Sequence, residues 1–242
     1  MQLKKADIIT QLKKDILLLK GSKCGIGNTI QIKLGSIDEA FPNGHFPLGA
    51  IHEFINEKVE YAAAAKGFIS YLVSALMKAG GTCIWICQTI KVFPPSLKSF
   101  DLEPDKIIFV NVQKEKDLLW VTEEALKCEG IAAVIAELKE INLIESRRLQ
   151  LAVEKSHVTG FIIRDQPRDI GINACVSRWK ISPLPSSSEN NLPGIGFPRW
   201  NIELLKIRNG KPGAWIMEWS YGKLHPVSEQ ITLVPQEERK TG

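Results

Sequence analysis

The chain is short of several things, and each shortage removes a class of answer. It has no run of about 18 consecutive apolar residues, the length a membrane-spanning helix demands. Its N-terminus carries lysines but no apolar run ahead of a small-residue cleavage site, so no export signal is read there. The five cysteines, at 24, 83, 87, 128 and 175, are odd in number, form no CxxC pair and have no His-x-His spacing nearby. Neither a disulfide framework nor a zinc site is supported, and reduced thiols in a soluble, cytoplasmic protein are expected. Excess charge is missing too: 31 Lys and Arg against 27 Asp and Glu leave +4. Contact with nucleic acid is therefore permitted rather than demanded.

A further absence is local. "FPLGAIHEF" (46–54) reads as a turn and a short buried strand, "FISYLVSALMKAGG" (68–81) reads as a helix, and "EYAAAAKGF" (60–68) joins them. Strand, loop and helix frame a nucleotide site. Its motif, GxxxxGK[ST], needs glycines so that backbone N–H groups wrap phosphates, a lysine for the outer phosphates and a hydroxyl for the metal. With Lys66 laid on the motif lysine, Glu60 and Ala65 fall on the two glycines and Gly67 falls on the hydroxyl residue. Side chains at both glycine positions crowd the backbone, and Glu60 sets a carboxylate beside an anion. A plain helix start, its alanines packing closely on a sheet, is the stronger reading. The usual metal partner of such a loop is an acid at the end of a neighbouring apolar strand, and "AAVIAEL" offers Glu137 there. Without a phosphate cradle, Glu137 reads as a strand-end or capping carboxylate. No catalytic residue, cofactor or metal is expected.

The 242 residues fit one main domain. Residues 3–20 place Ile8, Leu12, Ile16 and Leu19 on one stripe of a lysine-rich helix, assigned to 1–21, which packs on its own domain or docks on another protein. Residues 21–48 are rich in Gly, Pro and Asn and read mostly as loop. From residue 49, β-rich runs at 50–54, 82–87, 106–112, 131–138 and 159–165 alternate with helical segments at 62–80, 115–128 and 145–156, and 92–100 holds only a short helix. That alternation predicts an α/β fold, a mostly parallel sheet covered on both faces. After about residue 174 the helices stop. Runs at 174–181, 199–208 and 213–220 read as antiparallel strands, the last two a hairpin on "NGKPG". The polar, proline-rich stretch 182–198 is expected to be mobile. The core is placed at 34–235, with a charged tail at 236–242.

Several cations are candidates for partner or DNA contact. Arg147 and Arg148 fall at the edge of a helix face, where a solvated role competes with a phosphate or carboxylate partner. Period two in "ELLKIRNGKPG" sends Leu204, Lys206 and Arg208 to one side, and the turn adds Lys211. Such a tip reaches a neighbouring subunit or nucleic acid, or guards a sheet edge. Arg178 and Arg199 flank Trp179 and Trp200, the composition of a stacking platform, although both tryptophans are expected in the core. "QITLV" (230–234), with Gln230 and Leu233, has the look of a sliding-clamp peptide; an ordinary last strand is the stronger reading.

"GAIHEF" with its preceding "FPNGHFP", then "IAAVIAELKEINLIESRRLQLAVEKSHVTGFIIR", then "PRWNIELLKIRNGKPGAWIMEW" together resemble the ImuA family of RecA-like accessory proteins in bacterial error-prone repair. The resemblance runs from about residue 34 to 220. "KIRNGKPG" also resembles the basic hairpin of RecA-like hexameric helicases, where a Lys and an Arg reach the neighbouring subunit's nucleotide; Lys206 and Arg208 match them. The resemblance implies a RecA-like αβα sandwich, a cytoplasmic, nucleoid-associated location and expression in the SOS response to DNA damage. It also implies translesion synthesis with a catalytically dead Y-family polymerase homologue and an error-prone replicative-type polymerase. Further partners it suggests are a RecA-type recombinase, a sliding clamp and single-stranded DNA, with no membrane. Because the chain departs from RecA-like ATPases at 60–67, ATP hydrolysis is not carried over, and a non-enzymatic adaptor is the expectation. Two alternatives stay open: a DNA-dependent ATPase with an unorthodox site using Lys66 and Glu137, and a cell-division inhibitor of the SulA type.

Overall fold

Strands buried on both faces need nearly continuous apolar sequence, and five such runs form the parallel part of one nine-stranded sheet. The computed structural model describes residues 31–186 and 196–227. The helix read at 1–21, the middle of the loop read at 182–198, Gln230 and Leu233 of "QITLV", and the tail at 236–242 lie outside the described residues. The parallel strands are β1 (Ile51–Asn56), β2 (Thr82–Cys87), β3 (Ile107–Asn111), β4 (Ile131–Glu137) and β5 (Thr159–Asp165). β6 (Ser177–Leu184) joins β1 in parallel, and β7 (Arg199–Ile207), β8 (Gly213–Ser220) and β9 (Lys223–Pro226) follow antiparallel. The spatial order is β3-β2-β4-β5-β1-β6-β7-β8-β9.

Three α-helices cover the parallel half: α1 (Tyr61–Met77), α2 (Glu115–Lys127) and α3 (Leu143–Ser156). Alternation along the strands sorts the two faces. Ile51, Val134, Ala136 and Ile162 point to α2 and α3, packing on Leu118, Leu126, Leu149 and Val153. Phe54, Trp179 and Trp200 point the other way and meet Phe68 of α1 with ring centroids 6.3, 5.8 and 6.4 Å apart. α3 begins on a capping box: Asn142 Oδ1 accepts from the Glu145 N–H, and Glu145 accepts from the Asn142 N–H, both at 2.9 Å. Among the described residues no helix is long and apolar enough to cross a membrane.

Three expectations need correction. Residues 31–48, read mostly as loop, contain 3-10 turns at Gly35–Ala40 and Pro42–Gly44 and bury Ile32, Leu34, Ile37, Phe41 and Phe46 in the core. The hairpin tip clamps that segment. The Lys211 N–H donates to the Ala40 carbonyl at 2.8 Å, and a Cβ on Gly210 would lie 2.3 Å from the same oxygen, so only glycine fits there. Second, β6 continues through Ser182–Leu184, into the stretch read as loop. Pro183 is tolerated because β1 accompanies β6 only from Ser177 to Trp179. Third, strict alternation fails in β7. A register shift opposite Arg178 and Trp179 leaves Leu204 and Ile207 both buried.

His52, in the middle of β1, is fully buried. Its Nε2 donates to the Pro47 carbonyl at 2.8 Å, which leaves Nδ1 to accept from Ser177 Oγ at 2.6 Å. Trp179 Nε1 donates to the same hydroxyl, also at 2.6 Å. Burial holds the imidazole well below its ordinary value, at about 4. The unfolded chain takes up this proton near 6.5 and the folded chain only near 4. Stability conferred by neutral His52 is therefore complete above 6.5 and is lost as the pH falls through that window, by about 3 kcal/mol. Urea unfolding at stepped pH should record the loss, and His52→Gln should flatten the slope.

Candidate functional site

The strand, loop and helix that frame a nucleotide site are present. β1 ends at Asn56 and α1 begins at Tyr61, so only residues 57–60 connect them. Residues 61–66 are helical because alanine is the best helix former and no glycine or proline interrupts the run before Gly67. The Tyr61 and Ala62 N–H groups donate to the Lys58 and Val59 carbonyls at 3.1 and 3.2 Å. Donors that would meet a phosphate at a helix start are spent on the loop beneath them.

The structure brings Lys66 and Glu137 together. Lys66, on the second turn of α1, is turned onto the sheet, and its Nζ lies 2.8 Å from Glu137 Oε1 at the end of β4. Trp85 Nε1 of β2 donates to the same oxygen at 3.0 Å. The two side chains are only 11% and 13% exposed, so the ion pair is nearly dry. Around it, Asn56 Nδ2 donates to Asp165 Oδ1 at 2.7 Å, and Lys180 pairs with Glu57 at 3.0 Å. The neighbouring Cys87 thiol is pushed up by burial and by the Glu137 carboxylate, with Lys66 opposing. At Gly67 a Cβ would stand 2.9 Å from Phe100 and 3.2 Å from Trp200, so the aromatic layer of Phe100, Trp200 and Trp219 occupies the space a side chain would need. Glycine inside a helix costs about 1 kcal/mol relative to alanine; here it makes room for that layer.

A second charged centre lies on the opposite face of the sheet. Glu53 of β1 is fully buried, and Arg164 of β5 is 1% exposed. Arg164 Nη1 donates to Glu53 Oε1 at 2.8 Å, while Arg178 Nε and Asn173 Nδ2 donate to Oε2 at 2.5 and 2.7 Å. Arg164 also meets Glu140. Sequence reasoning missed Glu53, Arg164 and Asn173. The available signal was two opposite charges, in "AIHEF" and "TGFIIRD", each inside a run too apolar to leave a charge unpaired.

Fold and site together invite comparison with known proteins. Protein ImuA of Caulobacter vibrioides (strain NA1000 / CB15N) is 35% identical over 195 residues, covering 76% of this chain and 80% of that one. The same protein of strain ATCC 19089 / CIP 103742 / CB 15 matches to the same extent. The chain belongs to the ImuA family. No family model matches it. The crystal structure of the RadB recombinase aligns with a TM-score of 0.54 at 14% identity, over 77% of this chain and 94% of that one. The ImuA-family chain thus has a RecA-like α/β fold.

The remaining candidate cations are mostly engaged within the chain. Arg178 donates to the Ile170 and Gly171 carbonyls at 3.1 and 2.7 Å besides holding Glu53. Lys206 Nζ donates to the Asn173 carbonyl at 2.8 Å, and Arg208 donates to the Ala174 carbonyl at 3.0 Å. Partial burial and neighbouring Arg178 and Arg208 push the Lys206 ammonium down, against the pull of Cys175 and Glu53. Arg199 pairs with Glu218 at 2.7 Å, and Arg148 pairs with Glu123. Arg147 and Lys211 are exposed. Burial is the first cause that pushes up the thiols of Cys83 and Cys175, the latter to about 12, so neither is a nucleophile at neutral pH.

Removing one member of a nearly dry ion pair strands the other. Lys66→Met should therefore cost about 3 kcal/mol. In the double variant Lys66→Met, Glu137→Gln, which keeps an acceptor for Trp85, most of the loss should return. Urea unfolding followed by tryptophan fluorescence measures both.

Proposed function

We propose that this ImuA-family chain is a non-catalytic, RecA-like adaptor in SOS-induced, error-prone DNA repair, working at the nucleoid. The observation that carries the reading is the Lys66–Glu137 ion pair, 2.8 Å long and almost excluded from water. The lysine that would meet a phosphate and the acid that would orient a metal neutralise each other. Helix N–H groups that would cradle the anion already have partners in Lys58 and Val59. Opening this arrangement to nucleotide would expose a charge pair and displace Phe100 from Gly67, and no glycine-rich loop is there to repay that loss with phosphate contacts.

On this reading the fold is kept for its surfaces. It joins a catalytically dead Y-family polymerase homologue to an error-prone replicative-type polymerase, with a RecA-type recombinase, a sliding clamp or single-stranded DNA as further contacts. The family resemblance supports these partners. The cations with most freedom for them are the exposed Arg147 and Lys211.

Calorimetric titration with ATP and magnesium should give no heat at high micromolar concentration, and phosphate release should stay at background with and without single-stranded DNA. The Y-family homologue of the same organism should co-purify at micromolar concentration. Saturable ATP binding, with hydrolysis abolished by Lys66→Ala, would establish the ATPase instead. Two folded proteins that fail to associate would remove the adaptor.

A further inference from the structure

Residues 166–176, which connect β5 to β6, contain neither helix nor strand, yet they are fastened along their length. The Gln166 N–H donates to the Asn56 carbonyl at 2.7 Å, and the Arg168 N–H donates to Glu140 at 2.7 Å. Arg164 takes the Asp169 carbonyl at 2.7 Å, Arg178 takes those of Ile170 and Gly171, and Lys206 and Arg208 take those of Asn173 and Ala174. The Asn173 side chain holds Glu53, and the Ala174 N–H donates to Ser146 Oγ at 2.9 Å. Among these bonds the one from Ala174 reaches the first turn of α3, through Ser146; the others fasten the connection to β1, β5, β6, the end of β7 and the loop after β4.

What this fastened segment turns outward is aliphatic. Ile172 is 83% exposed and Ile170 is also exposed; on the adjoining start of α3, Ile144 is 75% exposed and Leu143 is exposed. A free loop would fold such side chains against the protein or leave them in motion, whereas here the backbone that carries two of them is held by four cationic side chains. Four exposed aliphatic residues at one place mark a contact surface.

Cations outnumber free acids around them. Arg147, one turn beyond Ile144, is exposed and has no carboxylate partner among the described residues. Arg168 is exposed as well, and Lys206 and Arg208 meet only carbonyl oxygens. Of the nearby acids, Glu53 is committed to Arg164 and Arg178, Glu140 to Arg164 and Glu145 to the helix cap, while Asp169, between Arg168 and Ile170, is exposed on this face. We propose that the face formed by Leu143, Ile144, Arg147, Arg168, Ile170 and Ile172 docks a segment of a partner protein that carries aliphatic side chains between aspartates or glutamates. A second copy would bring like charge against like. Single-stranded nucleic acid would want aromatic rings to stack on, and this face offers aliphatic ones. The proposal rests on the adaptor reading and names the surface through which it operates.

The test uses full-length chains, with the Y-family homologue of the same organism immobilised as the probe. Ile172→Asp and Ile144→Asp should each weaken binding about tenfold or more. Arg147→Glu should weaken it and reduce its dependence on salt. Tyr221→Ser, at an exposed turn between β8 and β9, should leave it unchanged, and thermal midpoints should match throughout. If an introduced aspartate lowers the midpoint, Ile172→Ser replaces it, with a smaller loss expected. Undiminished binding by the isoleucine variants would overturn the surface and leave the adaptor intact. Failure of the unsubstituted chain to bind would overturn both. Loss of binding to a labelled single-stranded oligonucleotide in the same variants, with homologue binding unchanged, would overturn the proposal in favour of nucleic acid.

Discussion

A carboxylate in the middle of a buried strand is the constraint to which much of this fold answers. Glu53 has no exposed surface, and an ionised carboxylate there is sustainable only with partners that satisfy both oxygens. Those partners come from three places in the chain: Arg164 from β5, Arg178 from β6 and Asn173 from the connection between them. Neighbouring strands on both sides of β1 are tied to it by charge as well as by backbone ladder. The connection is drawn across the sheet to deliver Asn173, which brings its carbonyls within reach of Lys206 and Arg208. Cations whose position at a hairpin tip suggests outward contact are thereby fastened to the chain's own carbonyls, Arg208 while still exposed.

The Lys66–Glu137 pair is the counterpart on the opposite face. Open α/β sheets bind ligands at the carboxyl ends of their strands, and the Lys66–Glu137 pair lies at that end here, with Glu137 closing β4. It ties the helix after β1 to the end of β4; the Glu53 centre ties β1 to β5 and β6. Each costs desolvation, and each is far more damaging to break at one member than to replace as a whole. Such pairs hold an arrangement in place more than they deepen its stability.

Much of the sheet was legible in the sequence because double burial leaves a plain trace: "TCIWIC" and "IAAVIAEL" are continuous apolar runs, and β2 and β4 fall on them. Both members of the Lys66–Glu137 pair were also legible, each from its place in the strand–helix frame. Their contact was not, since it depends on how α1 crosses β2 and β4. Residues 31–48 misled because glycine and proline signal irregular backbone, and irregular backbone can still bury Ile37, Phe41 and Phe46. β9 went unread because "KLHP" is short, polar and ends in proline, as an edge strand can afford to be. The shift in β7 broke the period-two count at the point where Lys206 and Arg208 find their carbonyls.

The way the 166–176 connection is held bears on when it is available. Arginine stays charged across the whole physiological range, and a peptide carbonyl does not titrate, so the bonds from Arg164, Arg178 and Arg208 persist wherever the fold does. His52 behaves in the opposite way: its neutral form belongs to the folded core, and acid works against it from the α1 face. Mild acid therefore weakens the fold as a whole before it loosens the loop locally. A segment without regular structure but with a fixed backbone also gives up little conformational entropy on docking, because the ordering has already occurred during folding. Glu53, itself without exposed surface, thus fixes the backbone that carries Ile170 and Ile172.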